Sequence, residues 1–162
     1  MFVRYFVELP LPHGAVEAAL LRNPGAWVQG LAQEAEDHGA TLLAEVGFGD
    51  SMRVERTVAI ELAEPIRVGS KIMLPLRWTA AKRAALFPKL EADVEVAGIG
   101  PNRTQLSITG RYDPPLGAVG RAIDKALLHR IAEATIKDFL DRIARRIEDQ
   151  PPEQAEVAAS EG

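Results

Sequence analysis

Residues 114–147, PPLGAVGRAIDKALLHRIAEATIKDFLDRIARRI, decide how the chain folds. No other segment is long and periodic enough to fill the hollow of a sheet. Ile136, Phe139, Leu140, Ile143 and Ile147 fall on one face of a helix, and Lys137, Asp138, Asp141, Arg142 and Arg145 on the other, the pattern of a helix with one side in the core. At about 100° per residue, Ile123, Leu127 and Ile131 fall opposite that later stripe. Two outcomes stay open. A continuous helix turns His129 and Ala132, with Lys125 beside them, toward the sheet and leaves the early stripe to other partners. A break near Thr135 turns His129 to solvent.

Working outward, the preceding chain reads as that sheet. Phe2 to Leu9 places Val3, Tyr5, Val7 and Leu9 on one side, and Pro10 and Pro12 then remove the donors a strand needs. Gly14 to Leu21 has a short helical pattern, and Asn23-Pro24 opens a second helix, expected to run to about His38 and stop at Gly39. From Thr41 the period changes to two. Five strands are expected, carrying Leu42, Ala44, Val46 and Phe48; then Met52, Val54, Val58, Ile60 and Leu62; then Ile72, Leu74, Leu76 and Trp78; then Leu90, Ala92, Val94 and Val96; then Leu106, Ile108, Gly110 and Tyr112. Pro65 to Ser70 and Gly98 to Asn102 are read as connections.

One apolar and one polar face per strand marks an antiparallel sheet wetted on one side. Six strands make a sheet about 29 Å wide, whereas a helix is about 10–12 Å across, so the sheet has to curl around the carboxy-terminal helix. The expected class is α+β: six antiparallel strands, or seven, gripping a long carboxy-terminal helix, with two short amino-terminal helices at one end. Ala44, Ala92 and Gly110 are small, so the curl is expected to leave space between helix and sheet.

Composition narrows the function classes. At 162 residues, with 47% apolar and 26% charged residues, the chain is one ordinary globular domain. With no apolar run of membrane-spanning length and no secretion signal, the expected place is the cytoplasm, with no integral membrane contact. The absence of cysteine removes disulfides, thiolate metal sites and cysteine nucleophiles. The formal charge is −4, but Glu148, Asp149, Glu153, Glu156 and Glu161 all lie in the last fifteen residues, leaving a body of +1 with no basic stripe for nucleic acid. Residues 148–162 are read as a disordered acidic tail, and residues 1–147 as the domain.

The chain lacks a G-x-S-x-G elbow, a phosphate loop, a complete G-x-G-x-x-G and H-E-x-x-H, and the histidines His13, His38 and His129 fall in different elements, so neither a metal site nor a cofactor is expected. Arg56 shares strand parity with Val54 and Val58, which points a guanidinium at the apolar face. A buried guanidinium has to be paired. Either it anchors a carboxylate or carbonyl of a ligand, or it pairs with a carboxylate such as Asp124 or Glu8, or a bulge turns it outward. Trp27, Phe48, Trp78 and Tyr112 are candidates to line a pocket or to be plain core, and His129 is either a pocket residue or a partly exposed polar one.

The order strand, two helices, five strands, long helix, together with LPLRWTA (Leu74 to Ala80), LFPKLEADVEV (Leu86 to Val96), TGRYDPPLG (Thr109 to Gly117) and the helix opening VGRAID, resembles the helix-grip superfamily of START and birch-pollen-allergen proteins, in a bacterial branch like the polyketide cyclase/dehydrase proteins. The resemblance covers residues 1–147. It implies binding, and in some members transport, of a hydrophobic or amphipathic small molecule between sheet and helix. It also implies an alternative, a cyclase or dehydratase in which Arg56 polarises a carbonyl and His129 or Tyr112 moves a proton. The early helical stripe, as a homodimer face, leaves open a third reading, an interaction module without a ligand. The superfamily has no universal catalytic motif, so it assigns no catalytic residue here.

Overall fold

The computed structural model describes residues 1–45, 58–80, 89–113 and 124–150. In chain order these form β1 (Phe2–Leu9), α1 (His13–Leu21), a 3-10 turn (Pro24–Ala26), α2 (Val28–Leu43), β2 (Val58–Leu62), β3 (Ile66–Val68), β4 (Lys71–Ala80), β5 (Lys89–Gly100), β6 (Arg103–Asp113) and α3 (Lys125–Glu148). All pairings are antiparallel, in the order β1-β6-β5-β4-β2, with β3 also on β4.

The inner face follows the expected parity. Tyr5, Ile108, Val94 and Leu74 form one row across four strands, and Tyr112, Leu90, Trp78 and Ile60 form another. Between them runs Val3, Gly110, Ala92, Leu76 and Leu62. Here β5 and β6 are crowded: a Cβ on Gly110 would stand 2.7 Å from the Cβ of Ala92 and 2.9 Å from the Glu91 carbonyl oxygen. Gly110 is therefore small because β5 crowds it, and its missing side chain opens no space.

Two strand assignments need correction. Thr41 to Leu43 is the last turn of α2, and helical geometry carries on through Ala44, so no strand begins at Thr41; residues 46–48 lie outside the described part. The reason is the stripe Val28, Ala32, Ala35, Gly39 and Leu43, which runs at helical spacing along the buried side of α2. Gly39 is thus a buried position within α2, and the helix does not stop there. The sixth strand is instead β3, from the segment read as a connection. Gly69 (φ +62) and Ser70 form a two-residue turn between the paired Val68 and Lys71, and only glycine takes that first turn position without strain.

Smaller differences lie at the helix ends. Asn23 sits in the left-handed region with no side-chain cap, and Pro24 opens a 3-10 turn, so α2 starts later, at Val28. Glu148, assigned above to the tail, is the last residue of α3; residues 151–162 lie outside the described part.

α3 is continuous through Thr135, whose hydroxyl donates to the Ile131 carbonyl at 2.9 Å. Its amino end is fixed by Asp124, whose carboxylate accepts from the amides of Ala126 (2.8 Å) and Leu127 (3.3 Å). Leu128, Ile131, Ala132, Ile136, Phe139, Leu140, Ile143 and Ile147 are all buried, and Leu127 packs half-buried against them. Ile131 and Leu127, from the early stripe, are therefore covered by the chain itself; Ile123 lies outside the described residues. α3 packs most closely on α2 and β1, then on β6.

α1 closes one end, with His13 against Gly98 and the Glu17 carboxylate accepting from Arg67 of β3. α2 closes the far edge. Gln29 donates to the Val58 carbonyl and accepts from the Ile60 amide at 2.9 Å, and Gln33 accepts from the Val58 amide at 3.1 Å.

Candidate functional site

Where β6 ends, its last inner residue meets the second turn of α3. The Tyr112 hydroxyl lies 2.9 Å from His129 Nδ1, and the two rings are within 14° of parallel. His129 Nε2 lies 3.2 Å from a Glu133 carboxylate oxygen, one helical turn further on. A tautomer with its proton on Nε2 satisfies both neighbours: Nε2 donates to Glu133 and Nδ1 accepts from the phenol. Tyr112 is almost wholly buried, and burial, with the Glu133 charge adding to it, pushes its pKa up to about 12, so the phenol is neutral. Its hydroxyl also touches Met1 Sδ at 3.2 Å, while backbone bonds of 2.7 and 2.8 Å hold Met1 beside it. The continuous helix thus brings His129 to the sheet, as one of the two open outcomes required. His129 is half-buried, and Lys125 is exposed.

From Tyr112 the same row leads through Leu90 to Trp78, fully buried on β4. Trp78 meets Phe139 of α3 edge-on, ring centroids 5.5 Å apart and planes at 83°. These two large rings bridge β4 to a helix whose own backbone runs over β1 and β6. Polar Tyr112 and His129 stand at the end of an otherwise apolar wall.

Trp27 lies elsewhere. Its ring is under the Arg146 guanidinium, 4.9 Å away, and its Nε1 donates to the Arg22 carbonyl at 3.1 Å. Arg146 is seventeen residues beyond His129 on α3, about 25 Å along the helix. Phe48 and Arg56 lie outside the described residues. Both carboxylates suggested as partners for Arg56 are engaged by other groups: Asp124 caps α3 and Glu8 accepts from Arg103. Sequence reading missed Glu133, although its i,i+4 spacing from His129 was a visible signal. It also missed Gln29 and Gln33, polar residues whose role exists only once β2 lies beside them.

Among the described residues, no cluster of three or more His, Asp or Glu side chains could hold a metal ion, and no helix is long and apolar enough to cross a membrane.

No family model matches the sequence, and no curated protein matches it. Among solved structures, a conserved protein from Geobacillus kaustophilus superposes at a TM-score of 0.54 with 16% identity, over 90% of this chain and 93% of that one. The fold is a helix grip. A START superfamily protein from Mycobacterium smegmatis aligns at a TM-score of 0.42 and 15% identity, over 89% of this chain and 97% of that one. The Zhui aromatase/cyclase from Streptomyces sp. R1128 aligns at 0.38 and 14%, over 91% and 95%. At those scores the likeness is one of outline only.

Proposed function

We propose that this helix-grip domain binds a hydrophobic or amphipathic small molecule between the inner face of β4–β6 and α3. The observation that carries the reading is the offset of the helix: among the described residues α3 packs over β1 and β6, while on β4 the fully buried Trp78 meets it ring to ring at Phe139. An apolar ligand gains roughly 25 cal/mol per Å² of surface buried there. Tyr112 and His129 place a polar pair at the end of the wall, beside which the polar end of such a ligand would lie. Arg56 completes the proposal as an anchor for a ligand carboxylate or carbonyl.

Binding is favoured over turnover because the Tyr112 hydroxyl already faces His129 and Met1. For a cyclase or dehydratase, the phenol would have to leave those partners before giving a proton to substrate oxygen. A homodimer is not needed to cover Leu127 and Ile131, which the chain covers itself.

Titration with the neutral probe N-phenyl-1-naphthylamine tests the reading. Saturation at about one probe per chain, with a change in Trp78 fluorescence, is the expected result. Native mass spectrometry of the purified protein should retain a small molecule. A protein that takes up neither, with probe emission unchanged, would show that the interior is simply core. Arg56→Met should weaken acidic ligands by roughly 1.5–3 kcal/mol and spare neutral ones.

A further inference from the structure

At the other end of α3, the start of α2 and the last two helical turns enclose a cleft of about 690 Å³, open to solvent. Trp27 and Leu31 give it an apolar side, and Arg22, Arg142, Arg145 and Arg146 line it together with two carboxylates, Glu34 and Asp149. The cleft thus carries a net positive charge in a chain of formal charge −4.

Ordinary structural roles account for part of this. Arg142 is held by Asp138 and Glu34, both at 2.6 Å, and ties α3 to α2. Arg145 and Arg146 stand in the last turn of α3, where cations suit the helix dipole. The dipole does not explain the rest. Among the described residues, no carboxylate lies within ion-pair distance of Arg145 or Arg146. Arg145 spends only its Nε, on the Asp141 carbonyl at 3.4 Å, and the Arg146 guanidinium carbon stands over the Trp27 ring, 4.9 Å from its centroid. Cation–π attraction to an indole holds a guanidinium in place without using its N–H groups, which stay available to an oxyanion.

We propose that this cleft is a second binding site, for a small organic anion whose carboxylate or phosphate is gripped by Arg145 and Arg146 while its flat apolar part lies against Leu31, beside the Trp27 ring that Arg146 covers. The guanidinium fork matches both oxyanions. The site lies about 25 Å along α3 from Tyr112 and His129 and does not depend on a ligand in the interior.

Calorimetry on the full chain with 1-naphthyl phosphate, 1-naphthoate and neutral 1-naphthol tests it, because the three share one ring and differ in charge. Both anions should bind about one per chain and at least tenfold more tightly than naphthol, with affinity falling as salt is raised. The double variant Arg145→Gln/Arg146→Gln should lose about tenfold or more. Both side chains are exposed, so its circular dichroism should match the parent. Arg146→Lys, which keeps the charge but not the fork, should lose several-fold by itself. Anions that bind no better than naphthol, or a folded double variant with parental affinity, would overturn the proposal.

Discussion

The side chain of Gln29 acts as a piece of strand for Ile60: its Oε1 accepts the Ile60 amide at 2.9 Å, while its Nε2 donates to the Val58 carbonyl two residues earlier. Gln33, one turn on, takes the Val58 amide. An edge strand with unpaired backbone groups invites pairing with another chain, and here a helix covers that edge with amides. Gln29→Ala leaves one donor and one acceptor of β2 without protein partners. A loss of about 1–2 kcal/mol in denaturant unfolding is expected, together with faster hydrogen exchange at the Ile60 amide. Unchanged exchange there would mean that the helix is not what protects β2.

Tyr112 gives the chain a distinctive alkaline limit. Its folded pKa of about 12 stands above the ordinary phenol value of about 10, so the unfolded state gives up this proton first. The stabilisation is fully present below pH about 10 and is lost as pH rises toward about 12. Tyr112→Phe should flatten that decline and remove the late step from a titration of phenolate absorbance. If the variant keeps the same late step, Tyr112 is not its source.

Gly110→Ala tests the crowding between β5 and β6. The added methyl would meet Ala92 Cβ at 2.7 Å, the Glu91 carbonyl oxygen at 2.9 Å and Leu90 Cδ1 at 3.1 Å. A cost of about 1–3 kcal/mol is expected from overpacking. Adding Ala92→Gly relieves one of the three contacts, so thermal or urea unfolding of the double variant should recover only part of the loss. Full recovery would show that the backbone contact is soft.

Phe139→Ala removes the ring that bridges α3 to Trp78 on β4. About 3–5 kcal/mol should be lost, since both residues are fully buried. The near-ultraviolet circular dichroism of Trp78 should change with it. A loss below about 1 kcal/mol would mean that the interior refills the space easily.

Removal of residues 151–162 should leave the thermal midpoint within a few degrees, because Val157 is the largest apolar side chain they contain. A much larger fall in a melting curve would show that the tail docks on the body.

The sequence by itself determined the class and the central packing. Period-two runs ending at Leu9, Trp78, Val96 and Tyr112 have one physical solution, a sheet with one apolar face. The stripe Ile136, Phe139, Leu140, Ile143 and Ile147 has one as well, a helix against that face. Periodicity becomes ambiguous where two patterns share the same residues. Leu42 and Ala44 alternate like a strand, but Leu43 also closes the helical stripe from Val28, and packing of α2 on α3 decides in favour of the helix. Ile66 and Val68 are too few to show a period, and pairing with β4 makes them a strand. The site divides in the same way. Tyr112 facing inward follows from local parity, but its partner His129 depends on whether α3 stays straight past Thr135, a contest between helix continuity and side-chain burial that only the assembled core resolves. Trp27 under Arg146 joins residues 119 positions apart. No local rule links such a pair, because the energy that joins them is that of α2 lying against the end of α3.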